Sequence, residues 1–155
     1  IPASFDSASR NALVMEKVQH DLQEGLGIRL ALSHQDWKTY VKTLRTDPAP
    51  LFRFAWLAPF GDPVPHLRIF TSNDPNNLSG WSNPEYDRMI ARISSMSSGK
   101  ARAELVRLAQ ELLVDREASV IPLYHYVQTH AVSPRVKGFR VNSIGVIRFD
   151  ELRVE

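Results

Sequence analysis

The first 56 residues alternate between two hydrophobic periods, and that alternation restricts the fold more than any other feature of the chain. Over residues 8–24, Val14, Met15, Val18 and Leu22 recur at helical spacing, with Ser7 or Ser9 as the capping residue and Gly25 and Gly27 as the stop. IRLAL (28–32) switches to period two and puts Ile28, Leu30 and Leu32 on one face of a strand. Ser33 is expected to cap a second helix, on which Trp37, Tyr40, Val41 and Leu44 follow the i, i+3, i+4, i+7 pattern. After the turn TDPAP (46–50), the apolar run LFRFAW (51–56) reads as another strand. Helix, strand, helix, strand in this order is the pattern of a parallel sheet with crossover helices, an α/β fold.

Beyond this point the signals change. Residues 57–82 are loop-rich. Asn83-Pro84-Glu85 then combines a capping residue, a proline at the first helical position and an acid at the positive end of the helix dipole. Tyr86, Met89, Ile90 and Ile93 give that helix its buried side, and SSMSSG (94–99) breaks it. Residues 100–116 form a further helix, buried through Ala101, Leu105, Leu108, Ala109 and Leu112. SVIPLYHYV (119–127) reads as a strand, with Pro122 marking an edge or an irregular point. The last 25 or so residues are short strand-like pieces around Gly138 and Gly145. No repeat and no dividing linker is visible, so residues 1–155 are expected to form one domain.

Composition removes several classes of function. Cysteine is absent, which excludes disulfides, thiolate metal sites and a cysteine nucleophile. The net charge of +2 is small and the basic residues are scattered, so there is no nucleic-acid-binding stripe. His20, His34, His66, His125 and His130 form no HExxH and no close pair backed by a carboxylate, so no metal site is expected. Ser33, His34 and Asp36 are sequential at a helix start rather than arranged as a triad, and no GxSxG, GxGxxG or GxxxxGK[ST] is present. The chain opens on Ile1 and is expected to be a processed protein or a fragment.

The candidate recognition element is FRFAWLAPFGDPVPH (52–66). Trp37 reads as core; Trp81, between Gly80 and Ser82, is open to either a core or a ligand reading. Trp56 ends an apolar strand and enters a proline-studded loop. In parallel α/β sheets ligands bind beyond the carboxyl ends of the strands, and an aromatic there beside backbone amides and an arginine suits an organic ligand. The competing reading makes Trp56 a core plug. Strand alternation puts Arg53 and Ala55 on one face, opposite Phe52, Phe54 and Trp56.

Several ordered segments resemble the C-terminal lobe of the family 5 extracellular solute-binding proteins, which serve oligopeptide and dipeptide ABC importers. They are LGIRLAL with HQDWKTYVKTL, then FRFAWLAPFGDP, NNLSGWSNPEYDRMI, ARAELVRLAQELLVDREASVIPLYHYV and SPRVKGFRVN. The resemblance implies a periplasmic-binding-protein-like lobe (type II, cluster C), a mixed sheet flanked by helices, with the N-terminal lobe absent from this chain. It implies a periplasmic or extracytoplasmic location, lipid-anchored or soluble, and capture of a peptide or peptide-like solute. The partners would be the importer's membrane permease and the N-terminal lobe, with no nucleic acid, no cofactor, no metal and no catalysis. The candidate ligand-binding residues are Arg53, Ala55, Trp56, Leu57, Ala58, Pro59, Phe60 and His66. Peptide binders of this family place after the tryptophan an aspartate that pairs with the peptide's amino group. Alignment on Trp56 puts that position at Pro59, so the expected carboxylate is missing, while Asp62 is read as a turn acid. Arg53 matches a position where some members carry a ligand-facing arginine. The alternative implied by resemblance is a ligand-sensing lobe of a transcription regulator.

Overall fold

The computed structural model describes every residue except Ser143, and Ser9 by its backbone alone. The chain divides into two compact units, one of residues 1–56 with 78–80, the other of residues 57–77 with 81–155.

The first unit is built on three parallel strands in the order β2-β1-β3: β1 Pro2–Asp6, β2 Ala31–Gln35 and β3 Leu51–Phe52. The parallel arrangement is the one the alternating pattern implies, but its central strand was not foreseen. PASFD alternates Ala3 and Phe5 with Ser4 and Asp6 over too few residues to stand out; it becomes a strand because both edges are paired, Ala3 to Leu32 on one side and to Leu51 on the other. Ala3 and Phe5, two apart, share a face and pack with Met15 and Leu30, joined by Ala12, Val18, Leu22, Ile28, Leu32 and Leu51. Met15, Val18 and Leu22 come from α1, Ser9–Leu26, which stops where Gly27 enters the left-handed region at φ 67°.

Four expectations need correction here. The start of α1 falls at Ala8 with no capping side chain, so Ser7 does not cap it, while the Ser9 side chain lies outside the described residues. Ser33 does not cap α2, Trp37–Thr46; it pairs with Ser4 inside β2, and Asp36 caps instead, accepting from the Thr39 N–H at 3.2 Å. The β2 strand therefore sits three residues beyond the IRLAL prediction, because its register is set by β1. Trp37 is not core. Tyr40 and Leu44 are buried, but Trp37, in the first turn, is 58% exposed and lies nearly parallel to Phe54.

The second unit is helical around Leu67, Tyr86, Ile90, Ile93, Ala109, Leu112 and Leu113. It contains α3 Val64–Arg68, α4 Pro84–Ser95 and α5 Lys100–Glu111, the last extended by a wider π turn through Leu112–Arg116. The start of α4 is as its sequence dictates: the Asn83 side chain accepts from the N–H groups of Glu85 and Tyr86, and Pro84 follows it. On α5, Ala109 is buried as expected, but Ala101 and Leu108 face solvent. SVIPLYHYV is also corrected: residues 119–127 form no strand, and Ile121 and Val127 are 59% and 80% exposed. A strand requires a neighbour for its N–H and C=O groups, and none pairs with this stretch among the described residues.

Near the end of the chain an antiparallel ribbon forms between β4 Val136–Lys137 and β5 Arg153–Val154. Parallel and antiparallel pairing thus lie in separate sheets. Gly138 closes the ribbon with φ 77°, and a Cβ there would fall 2.1 Å from the Glu151 carbonyl oxygen. Gly138→Ala is expected to cost about 1–2 kcal/mol from the left-handed backbone alone, with the clash in addition. Faster hydrogen exchange at the Glu155 N–H, which is bonded to the Arg135 carbonyl at 2.9 Å, would report it; unchanged exchange would refute it.

Candidate functional site

The site residues expected from the sequence fall in both units, and each unit is described by itself. In the first, the β3 strand ends after Phe52, two residues into the expected six. Arg53 still bonds β1 through its N–H to the Ser4 carbonyl at 2.9 Å, but the chain then leaves the sheet. The Arg53 side chain is buried and donates Nη1 to Asp6 Oδ2 at 3.2 Å. Asp6 Oδ1 accepts from Asn11 Nδ2 at 2.6 Å. An arginine read as an anion partner therefore has a carboxylate of its own chain beside it, 47 residues away in sequence.

Tyr40 completes this cluster. Its hydroxyl lies 2.7 Å from the Arg53 carbonyl and 3.0 Å from the Ser4 carbonyl, so it bridges β1 and the residue that follows β3. Burial pushes the Tyr40 phenol up to about 12. The group is a neutral donor at any ordinary pH. Sequence reading missed both Tyr40's polar role and Asp6, because neither has a local signal: Tyr40 reads as one more apolar helix position, and Asp6 as an isolated acid.

Trp56, expected to end a strand, lies outside any strand, four residues beyond the end of β3. It is half-buried, and its Nε1 is covered without an acceptor among the described residues. Ala55 beside it is half-buried.

In the second unit, Leu57 and Phe60 are 80% and 56% exposed. Pro59 is also exposed and Ala58 is half-buried. This puts two large apolar side chains on the surface within four residues. His66, in α3, faces solvent. Asp62 is a turn acid: its Oδ1 accepts the Val64 N–H at 2.8 Å, starting α3. It also receives Arg102 Nη2 at 2.9 Å on Oδ1 and 2.8 Å on Oδ2, and the hydrogen bond from Arg102 holds its carboxyl below the usual carboxylate range. The carboxylate nearest in sequence to Pro59 is thus already matched by a cation.

No family model matches the chain. Among curated proteins it is 28% identical over 147 residues to the dipeptide-binding protein DppE of Bacillus subtilis, covering 95% of this chain and 27% of that protein. It is 30% identical over 121 residues to the periplasmic murein peptide-binding protein MppA of Escherichia coli, covering 78% and 22%. The solved structure of the E. coli murein tripeptide-binding protein MppA matches with a TM-score of 0.87 at 24% identity, over 99% of this chain and 30% of that one. Haemophilus influenzae OppA in complex with RPPGFSPFR matches with a TM-score of 0.84 at 24% identity, over 99% and 30%. The chain spans about a quarter of the length of these curated relatives.

The fold is that of a periplasmic-binding-protein-like lobe, and the homologues are oligopeptide- and dipeptide-binding proteins rather than enzymes. The structural neighbours belong to family 5 of the extracellular solute-binding proteins. The transcription-regulator alternative gains no support from these relatives.

Proposed function

We propose that this chain is the C-terminal lobe of an extracytoplasmic solute-binding protein that captures a peptide or peptide-like solute for an ABC importer and performs no chemistry. The observation that carries this reading is the match to curated peptide-binding proteins over nearly the whole chain, 95% in one and 96% in another. The partners proposed with it are an N-terminal lobe of the same protein and the importer's membrane permease; nucleic acid has no part in it.

Two contributions to the ligand are proposed separately. Trp56, half-buried, offers an apolar wall. The backbone of Leu57, Ala58, Pro59 and Phe60 offers hydrogen-bonding groups to an extended ligand, Pro59 as an acceptor only. Arg53, paired with Asp6, is proposed to hold the sheet of the first unit rather than to meet the ligand. With proline at 59 and Asp62 matched by Arg102, this stretch presents no unmatched carboxylate to a ligand ammonium. The ligand is therefore one whose amino terminus is blocked, absent, or met by the other lobe.

The test uses the full-length protein. Isothermal titration with a pool of tri- to pentapeptides and with RPPGFSPFR, each free and N-acetylated, is expected to give binding; a change within about twofold on acetylation assigns the amino terminus no charge partner, and a larger loss assigns it to the other lobe. Trp56→Ala is expected to weaken that binding by at least about 1 kcal/mol, the scale of a lost stacking aromatic. Equal affinity in a folded variant would remove Trp56 from the site, and no binding by any peptide would overturn the peptide reading.

A further inference from the structure

We infer that Arg102 is a positioning residue for the binding segment Leu57–Phe60, which it fixes through Asp62 without touching the ligand. The inference rests on the reading above, in which that segment meets the ligand.

Leu57 to Gly61 is a poorly anchored stretch. Leu57, Pro59, Phe60 and Gly61 are exposed, and the hydrogen bonds of residues 57–62 among the described residues run through Phe60 and Asp62. The Asp62 N–H bonds the Phe60 carbonyl at 2.9 Å, which closes the turn, and its carboxylate holds the Val64 N–H at 2.8 Å, which joins the turn to α3. What ties this turn to the helical core is Arg102. Its Nη2 reaches both Asp62 oxygens, and its Nε donates to the Ile93 carbonyl in the last turns of α4 at 3.1 Å. Ile93 is fully buried in the core. One planar guanidinium, itself carried on α5, therefore links the turn to the end of α4. The Arg102 side chain is 15% exposed and that of Asp62 is 31% exposed, so the pair is shielded more than a surface ion pair. A lysine offers a single point charge and cannot serve Asp62 and the Ile93 carbonyl in this forked geometry.

A segment held in its binding conformation before the ligand arrives spares the ordering cost at binding. Releasing it lowers affinity with no loss of any ligand contact. Arg102→Ala and Asp62→Asn in the full-length protein are each expected to weaken the tightest-binding peptide of the pool by about five- to tenfold, the cost of ordering a few side chains and their backbone. The double variant is expected to be no weaker than the worse single one, since both break the same link. Arg102→Lys recovers part of the loss. Asp62→Asn separates this role from helix capping, because it leaves the Arg102 bond to Ile93 in place and keeps an oxygen for the Val64 N–H.

Hydrogen exchange on the same samples makes the outcomes distinct. The expected result is faster exchange at residues 57–64 in both variants without peptide, unchanged exchange in α4 for Asp62→Asn, and peptide protection of 57–60 in the wild type. If the wild type binds a peptide and protects 57–60 while both variants bind equally well, the positioning role is overturned and the site reading stands. If no peptide binds the wild type, or binding leaves 57–60 unprotected, the site reading fails and this inference fails with it.

Discussion

Arg53→Ala is expected to lower the unfolding free energy by about 3–5 kcal/mol, the cost of leaving a buried charge without its partner. The Asp6 and Arg53 side chains are 10% and 6% exposed, and Asp6 ends the central strand, so its carboxylate would be left largely desolvated without the guanidinium. Asn11 and the Ala8 N–H still bond Asp6 Oδ1, but neither carries charge. Converting both partners is expected to cost much less: Asp6→Asn with Arg53→Met removes the two charges together while keeping most of the volume. Urea denaturation of the chain, with hydrogen exchange read at Ala3–Asp6, checks both statements. A loss below about 1 kcal/mol for Arg53→Ala would show that the pair is not the electrostatic link between β1 and the segment after β3.

The second large effect is expected at Tyr86. This side chain is fully buried, packs edge-on against Trp81 with ring centroids 5.0 Å apart, and donates its hydroxyl to the Leu67 carbonyl at 2.8 Å. It therefore joins α4, the end of α3 and the loop before α4. Tyr86→Ala is expected to cost about 3–5 kcal/mol, the range for removing a large core aromatic. Tyr86→Phe keeps the ring and is expected to cost about 1–3 kcal/mol, through the Leu67 carbonyl left unmet. The pair of variants separates packing from hydrogen bonding. Equal losses would assign the whole effect to the hydroxyl, and a negligible loss for Tyr86→Phe would assign it to the ring.

Tyr86 also illustrates what could be read without a structure. Its place on the buried side of a capped helix follows from Asn83-Pro84-Glu85 and the spacing to Met89, Ile90 and Ile93, all of which are local. Its hydroxyl's destination, 19 residues back, does not. The same division runs through the candidate site. Trp56 was placed from an apolar run meeting a proline-rich loop, and Asp62 as a turn acid from Gly-Asp-Pro. Arg53 had only strand alternation to go on. The alternation was the wrong guide, since the strand stops at Phe52 and the side chain turns inward to Asp6. SVIPLYHYV failed for a related reason: high β-propensity records how well residues suit a pleated, half-buried surface, not whether a neighbouring strand exists.

The sequence by itself determined the parallel α/β plan of the first third, the stop of α1 at the second of its two expected glycines, Gly27, with Gly25 inside the helix, the start of α4 at Asn83 and the absence of any thiol chemistry. Each depends on a property of a few consecutive residues: a hydrophobic period, a left-handed glycine, a capping side chain or the lack of cysteine. Only the tertiary structure decided that Pro2–Asp6 is the central strand, that Asp6 neutralises Arg53, that Tyr40 bridges β1 and the residue after β3 and that Arg102 holds the turn at Asp62. Those are pairings across 13 to 48 residues, made by backbone edges and buried polar groups that must find partners wherever the fold brings them.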